Sequence, residues 1–204
     1  MCSDSENARI AATGVLMAGG KNSRMQKHKA FLELRGRYLV EHSLEVLQAV
    51  FAEVLISSNQ PELFEAYGVR VIPDLLKDQG PLGGLYSGIK AAAYEVGFFM
   101  ACDMPFVQSN VIRYLNRYVQ DFEIVVPRGE SGLHPLHAFY RRSCLPHIEN
   151  NLQAQRLRVA DLYAGCRVRY VDFRELAPCG NLRKIFCNIN TPEEWANVQE
   201  LNPG

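Results

Sequence analysis

No stretch of this sequence stays apolar for the roughly 20 residues that a membrane-crossing helix requires, and the opening MCSDSENARIAAT has no apolar signal core. The expectation is a soluble, cytoplasmic chain whose residues 1–9 form a loose tail. No C-x-x-C pair occurs among the six cysteines, Cys2, Cys102, Cys144, Cys166, Cys179 and Cys187. That spacing argues against a zinc framework, and a reducing compartment argues against disulfides. Neither charge is in surplus: Lys+Arg and Asp+Glu each number 22, for a formal net charge of +0. Nucleic-acid partners normally leave a basic surplus, so that class is disfavoured, whereas a small anion needs only a local positive pocket. Internal repeats, low-complexity tracts and long linkers are also absent. What is present is apolar: 48% of 204 residues are hydrophobic, enough for one large core and too much for disorder. One domain over residues 1–204 is expected.

The pattern along the chain alternates strand and helix. Ile10–Met17 reads as a buried strand ending at Gly19-Gly20. Tyr38, Leu39, Val40, Leu44, Leu47, Val50 and Phe51 recur at helical spacing. Strands are expected at Val54–Ser58, Val69–Ile72, Gly97–Cys102, Ile124–Pro127, Leu136–Tyr140 and Arg167–Phe173. Helices are expected at Glu62–Tyr67, from the GPLGG turn to about Tyr94, and at Ser109–Tyr118, Ser143–Leu152 and Leu157–Tyr163. A last helix starts at Thr191, with Pro192 suited to its first turn. Short apolar strands separated by helices imply a mostly parallel sheet covered on both faces, an α/β fold. Ligands of such sheets sit outside the carboxyl ends of the strands.

Two sequence features fall there. The first is Leu16-Met17-Ala18-Gly19-Gly20-Lys21-Asn22-Ser23-Arg24-Met25, followed by Lys29. Glycines after a strand let backbone N–H groups approach an anion, and Arg24 and Lys29 can then surround a triphosphate. Gly14 stands one residue too far from Gly20-Lys21 for a Walker A loop, and G-x-G-x-x-G is not matched either. The second feature is Cys102-Asp103-Met104-Pro105. A carboxylate after an apolar strand suits Mg2+, which prefers oxygen ligands alongside phosphates, although an Asp there also caps helices.

Together these segments resemble the molybdenum cofactor guanylyltransferase (molybdopterin-guanine dinucleotide biosynthesis protein A) family. The carriers are LMAGGKNSRM with KAFLEL, VIPD, GPLGGL, CDMPF, HPLHAFY and NINTPEEW, spread from about Thr13 to Val198. The resemblance implies a three-layer α/β/α sandwich with a Rossmann-like, mostly parallel sheet of the nucleotide-diphospho-sugar transferase type. It implies a Mg2+-dependent nucleotidyltransferase that moves GMP from GTP to the phosphate of molybdopterin or its molybdenum-loaded form, releasing pyrophosphate. Transient contacts with cofactor-insertion or delivery proteins belong to the same expectation.

By matching position, Met17, Ala18 and Gly19, with Gly20 beside them, fall on the guanine-nucleotide loop, Lys29 on its phosphates, and Asp103 on the Mg2+ ligand; Arg24 joins Lys29 at the phosphates on its own chemistry. Asp74 falls on a nucleotide-site residue and Asn190 on an asparagine near metal and acceptor. Gly80, Gly83 and Gly84 would shape the cleft wall, and His134-Pro135 fits the acceptor-side loop. The chain departs from the family at Gln26, at His28 where an Asp is usual, and at Ser57 in place of a base-contacting Asn, with Asn59 as a substitute. These departures leave open a relative with another base or acceptor (cytidylyl or cobinamide-phosphate guanylyl transfer), or a nucleotide-binding protein without turnover. Plain structural roles also stay open: Asp74 in a turn, His134 as a satisfied polar residue, Asn190 shaping the turn before Thr191, and Trp195 as packing.

Overall fold

A computed structural model of the chain describes residues 8–19 and 28–200. Its first strand, β1 (Ile10–Met17), is buried without a break from Ala12 to Leu16, as a strand flanked on both sides and covered on both faces must be. β2 (Glu33–Leu34) and β3 (Arg37–Tyr38) form a small hairpin whose turn, Arg35 and Gly36, has φ of 54° and 73°. Positive φ at both positions is the geometry of a type I′ turn. α1 (Leu39–Val50) buries Leu39, Val40, Ser43, Leu44, Leu47 and Val50, at steps of three and four along one face. Its first turn is closed by Glu41, whose carboxylate accepts from the Tyr38 N–H at 2.6 Å.

There follow β4 (Phe51–Ser57), β5 (Arg70–Ile72), α2 (Gly80–Ala91), β6 (Val96–Ala101), α3 (Ser109–Asn116), β7 (Ile124–Gly129), β8 (Gly132–Leu133), β9 (His137–Arg141) and α4 (Leu145–Gln153). β10 (Val168–Asp172), the short α5 (Phe173–Leu176) and α6 (Leu182–Ile185), and α7 (Pro192–Glu200) complete the order. The large sheet has eight strands in the order β10-β7-β9-β6-β1-β4-β5, with β8 paired to β7. β1 pairs in parallel with β4 and β6, β4 with β5, and β10 with β7. β9 runs antiparallel between β6 and β7, so the sheet is mixed but mostly parallel.

Alternating side chains feed two cores. Phe98 points into one with Leu44 and Leu47 of α1, Val111, Ile112 and Leu115 of α3, and Leu176 and Ile185 from α5 and α6. Its neighbour Phe99 points into the other with Leu82, Leu85 and Ile89 of α2 and Ile148 and Leu152 of α4. Both rings are fully buried, and each such burial stabilises the fold by about 1.5–3 kcal/mol. This is the three-layer sandwich. Gly14 makes one close approach possible: a Cβ there would stand 2.6 Å from Cδ2 of Phe51.

The structure corrects several element readings. The expected helix at Glu62–Tyr67 is two 3-10 turns, Pro61–Leu63 and Glu65–Tyr67, stopped by Gly68 at φ 62°. So short a segment cannot repay α-helix nucleation. The expected helix at Leu157–Tyr163 is a 3-10 segment at Val159–Gly165. Phe51 starts β4 rather than ending α1, because its ring packs on Phe98 and Phe139 in the core. α7 begins at Pro192, one residue after the expected start, because Thr191 stands outside it in a reciprocal cap with Glu194: Thr191 Oγ1 accepts from the Glu194 N–H at 3.2 Å and Glu194 Oε2 from the Thr191 N–H at 3.1 Å. Trp195 packs against the small core of Leu32, Leu34, Leu39, Ile189 and Val198. Cys102, Cys144, Cys166, Cys179 and Cys187 are free thiols. Among the described residues no helix is long and apolar enough to cross a membrane.

Candidate active site

The register of the parallel strands decides where the loops meet. Met17 pairs with both Ser57 and Ala101, and Ser57 pairs with Ile72, so β1, β4, β5 and β6 all end along one rim. Ladder bonds continue past the strands: Ala18 N–H donates to Ser57 O at 2.9 Å, Cys102 N–H to Met17 O at 3.2 Å, and Ser58 N–H to Ile72 O at 3.0 Å. Beyond this rim opens a cleft of about 650 Å3. Met17, Ala18, Gly19, Ser57, Asp74, Gly80, Lys29 and Asp103, all singled out from sequence, line it. So do Ser58, Asn59, Gln60, Asp78 and Leu136, of which only Asn59 was flagged by the sequence. Gly20, Arg24 and Gln26 lie outside the described residues.

At one end of the cleft two lining side chains, Lys29 and Asp103, meet a third, Asn190, which does not itself line it. The Lys29 ammonium donates to Asp103 Oδ2 at 2.8 Å and to Asn190 Oδ1 at 2.9 Å. Their separation in sequence is 74 and 161 residues, so only the fold joins them. Both the lysine and the aspartate are largely shielded, at 19% and 16% side-chain exposure. Asp103 follows β6 at the rim, and its carbonyl accepts from the Ile189 N–H at 3.0 Å, which draws residues 188–190 alongside. Glu194 Oε2 accepts from the Asn190 N–H at 2.6 Å and fixes that residue from the α7 side. Two hard oxygens, one carboxylate and one amide, thus converge on a single cation, which here is the lysine's own. Such a donor pair suits an oxygen-preferring divalent ion whose remaining ligands are phosphate and water. Among the described residues no group of three or more His, Cys, Asp or Glu side chains forms a self-sufficient metal cage.

At the other end Asn59 and Asp74 clasp each other. The Asn59 amide nitrogen donates to Asp74 Oδ2 at 2.9 Å, and Asn59 Oδ1 accepts from the Asp74 N–H at 2.9 Å. The two bonds together decide the orientation of the Asn59 amide, and Asn59 stands where the sequence suggested a replacement for the residue at Ser57. Ser57 itself is buried, with its hydroxyl near α2. Gly84 lets β1 and α2 touch, since a Cβ there would fall 2.4 Å from Cε of Met17. Gly80 is needed for its backbone, at φ 58°. Gly83, by contrast, faces Gln79 and the Leu76 carbonyl rather than the cleft, so it shapes the loop behind the wall.

The histidines divide. His28 lines the cleft and packs on Phe31 and Phe64, with ring centroids at 5.4 and 5.8 Å. Burial lowers its pKa, partly offset by the Ala18 backbone. His134 is not in the cleft wall. It stacks on Phe173 at 5.3 Å and touches Phe186, and burial lowers its pKa too. His134 thus packs among aromatic rings, but its Nε2 is buried without a hydrogen-bond partner, so it is not the satisfied polar residue of the plain reading. Next to it His137, unnoticed in the sequence, is wholly buried, and burial pushes its pKa down to about 3. Burial and the neighbouring Asp103 charge push the Cys102 thiol up to about 12, so it stays protonated at neutral pH and is no nucleophile.

Residues 14–165 match the MobA-like NTP transferase domain. The chain is 37% identical over 192 residues to a probable molybdenum cofactor guanylyltransferase from Pelotomaculum thermopropionicum, covering 94% of each. It is 31% identical over 194 residues to a molybdenum cofactor guanylyltransferase from Syntrophotalea carbinolica, covering 94% of this chain and 92% of that one. In three dimensions it superposes on molybdopterin-guanine dinucleotide biosynthesis protein A from Archaeoglobus fulgidus with a TM-score of 0.83, covering 93% of this chain and 97% of that one. At 22% identity that likeness speaks to the fold alone, which is that of the nucleotide-diphospho-sugar transferases.

Proposed function

The chain belongs to the MobA-like NTP transferase family of nucleotidyltransferases, and from that premise we propose that it is a molybdenum cofactor guanylyltransferase. In this reading an oxygen of the acceptor's terminal phosphate attacks the α-phosphorus of GTP. A new P–O–P bond forms, the bond from the α-phosphorus to the bridging oxygen breaks, and pyrophosphate leaves with that oxygen. The acceptor is molybdopterin or its molybdenum-loaded form. The observation that carries the reading is the convergence of Lys29, Asp103 and Asn190 at one end of a cleft floored by Met17, Ala18 and Gly19.

Each residue has a task that its chemistry suits. Asp103 and Asn190 would hold Mg2+ through oxygen. When bound, that ion supplies neutralisation of charge on the transferring phosphate. Lys29 is a compact cation on a flexible stem, suited to the phosphates of the nucleotide. Arg24, outside the described residues, is assigned to the departing pyrophosphate on the chemistry of its donor fork beside the glycine loop. The Gly19 backbone and the Asn59–Asp74 clasp edge the part of the cleft left for ribose and base. No protein nucleophile is required, because the acceptor phosphate is already an anion. Positioning and charge complementarity then carry the catalysis.

The test is to incubate the protein with Mg2+, molybdopterin and GTP, CTP or ATP in turn, and to follow pyrophosphate release and dinucleotide mass. The expected product is the guanine dinucleotide. A cytosine product would assign another base, and nucleotide binding without pyrophosphate release would make the protein a sensor rather than an enzyme.

A further inference from the structure

We propose that the Lys29 ammonium is a resident stand-in for the divalent cation, so that metal and triphosphate bind as a mutually dependent pair. The inference rests on the nucleotidyltransferase reading and goes beyond it by assigning an interaction between the two ligands. Lys29 Nζ sits 2.8 Å from Asp103 Oδ2 and 2.9 Å from Asn190 Oδ1. These are the oxygens that would hold a divalent ion, and an ion bound through the same Asp103 Oδ2 and Asn190 Oδ1 would crowd the ammonium out of its present position.

The surroundings decide which part moves. The Lys29 backbone is fixed: it opens a 3-10 turn in which Phe31 N–H donates to His28 O at 2.9 Å and Leu32 N–H to Lys29 O at 3.1 Å. Ala30 is fully buried beside it, and His28 is wedged against Phe31 and Phe64. The backbones that carry the two oxygens are held as well: the Asp103 carbonyl accepts from the Ile189 N–H, and the Asn190 N–H donates to Glu194. What remains free to swing is the four-carbon lysine stem.

The cost of that swing depends on what else is bound. With metal alone, the ammonium loses both acceptors and gains no anion in return, while two positive groups are crowded at the cleft end. With triphosphate alone, an ammonium that turns to the phosphates leaves a shielded carboxylate unpaired beside new negative charge. With both, every charge has a partner. Each ligand therefore removes the penalty on the other, and linkage requires the effect to be equal in both directions.

The experiment uses Mn2+ as a spectroscopic probe of the cation site, read by electron paramagnetic resonance without nucleotide, on wild type, Lys29→Met and Lys29→Gln. Both variants should bind Mn2+ alone about tenfold more tightly than wild type, within the range usual for coupled sites. Asp103→Asn in the Lys29→Met background should abolish the gain, which places the probe. If neither variant gains affinity, or if the gain survives loss of the Asp103 carboxylate, the stand-in role is overturned. Calorimetry of GTP on wild type with Mn2+ present keeps the two ideas apart. Absence of GTP binding there sinks the nucleotide-site reading, whereas GTP binding with no gain in the variants sinks only the coupling.

Discussion

Replacing His137 by leucine removes an imidazole that the core holds at a cost. The ring is fully buried, both its nitrogens lack a hydrogen-bond partner in the protein, and it stands edge-on to Phe98 at 5.1 Å and to Phe186 at 4.8 Å. An unsatisfied buried polar atom costs about 1–3 kcal/mol. Edge-to-ring contacts return part of that, at about 0.5–1 kcal/mol. Leucine adds a shape mismatch of about 1 kcal/mol. The net expectation near pH 7.5 is a variant more stable by about 1 kcal/mol.

Acidity separates this from generic packing. The folded-state pKa is depressed to about 3 from 6.5, so the unfolded chain takes a proton between those values that the folded chain refuses. Stability is therefore full above about pH 6.5 and falls as the pH drops toward 3. Each pH unit in that window costs about 1.4 kcal/mol, or about 2 kcal/mol by pH 5. His134, whose charge also disfavours protonation of His137, and His28 titrate in the same sense, but both remain in the variant and largely cancel in the difference. Urea unfolding of both proteins from pH 7.5 to 5 should show the gap widening from about 1 to about 3 kcal/mol. A gap that is independent of pH, or a variant that is less stable throughout, refutes the argument.

Asp103→Ala should fold normally yet lose about 100-fold or more in pyrophosphate release, because an oxygen ligand and a fixed charge vanish together; near-normal turnover would reject the assignment. Lys29→Ala should weaken GTP binding by about tenfold or more, the worth of a charge-assisted bond, as measured by calorimetry with Mg2+. Gly14→Ala forces a methyl to within 2.6 Å of Phe51 and should destabilise the fold by about 1–3 kcal/mol without changing nucleotide affinity in the folded fraction. Asn59→Ala breaks both bonds to Asp74, and thermal shift should show a narrowed preference for GTP over CTP with little change in the unliganded melting temperature.

Continuous apolar runs were enough to read β1 and β6 from the sequence, since a strand covered on both faces has no polar side to show. The same logic put Asp103 at the rim, directly beyond a run of buried residues. Helical periodicity failed where segments were too short to form an α-helix, as at Pro61–Tyr67, and it missed the β2–β3 hairpin because two-residue strands carry no period. Contacts were the harder part. The joining of Lys29 to Asn190 across 161 residues leaves no local trace, and only the resemblance brought those positions together. His137 was invisible for the opposite reason: its residue type promises solvent or a ligand, while its neighbours on β9, Ala138, Phe139 and Tyr140, belong wholly to the core.

Residues 188–194 sit far along the chain from the glycine loop, yet they bring the second oxygen to Lys29 and brace Asp103 through its carbonyl. A molecule in which all the parallel strands have assembled but this segment has not docked would have its main cores in place and an unfinished reaction centre. Competence for chemistry therefore depends on a segment that lies outside the central sheet. A cut before Asn188 is expected to silence the protein while leaving the central sheet standing.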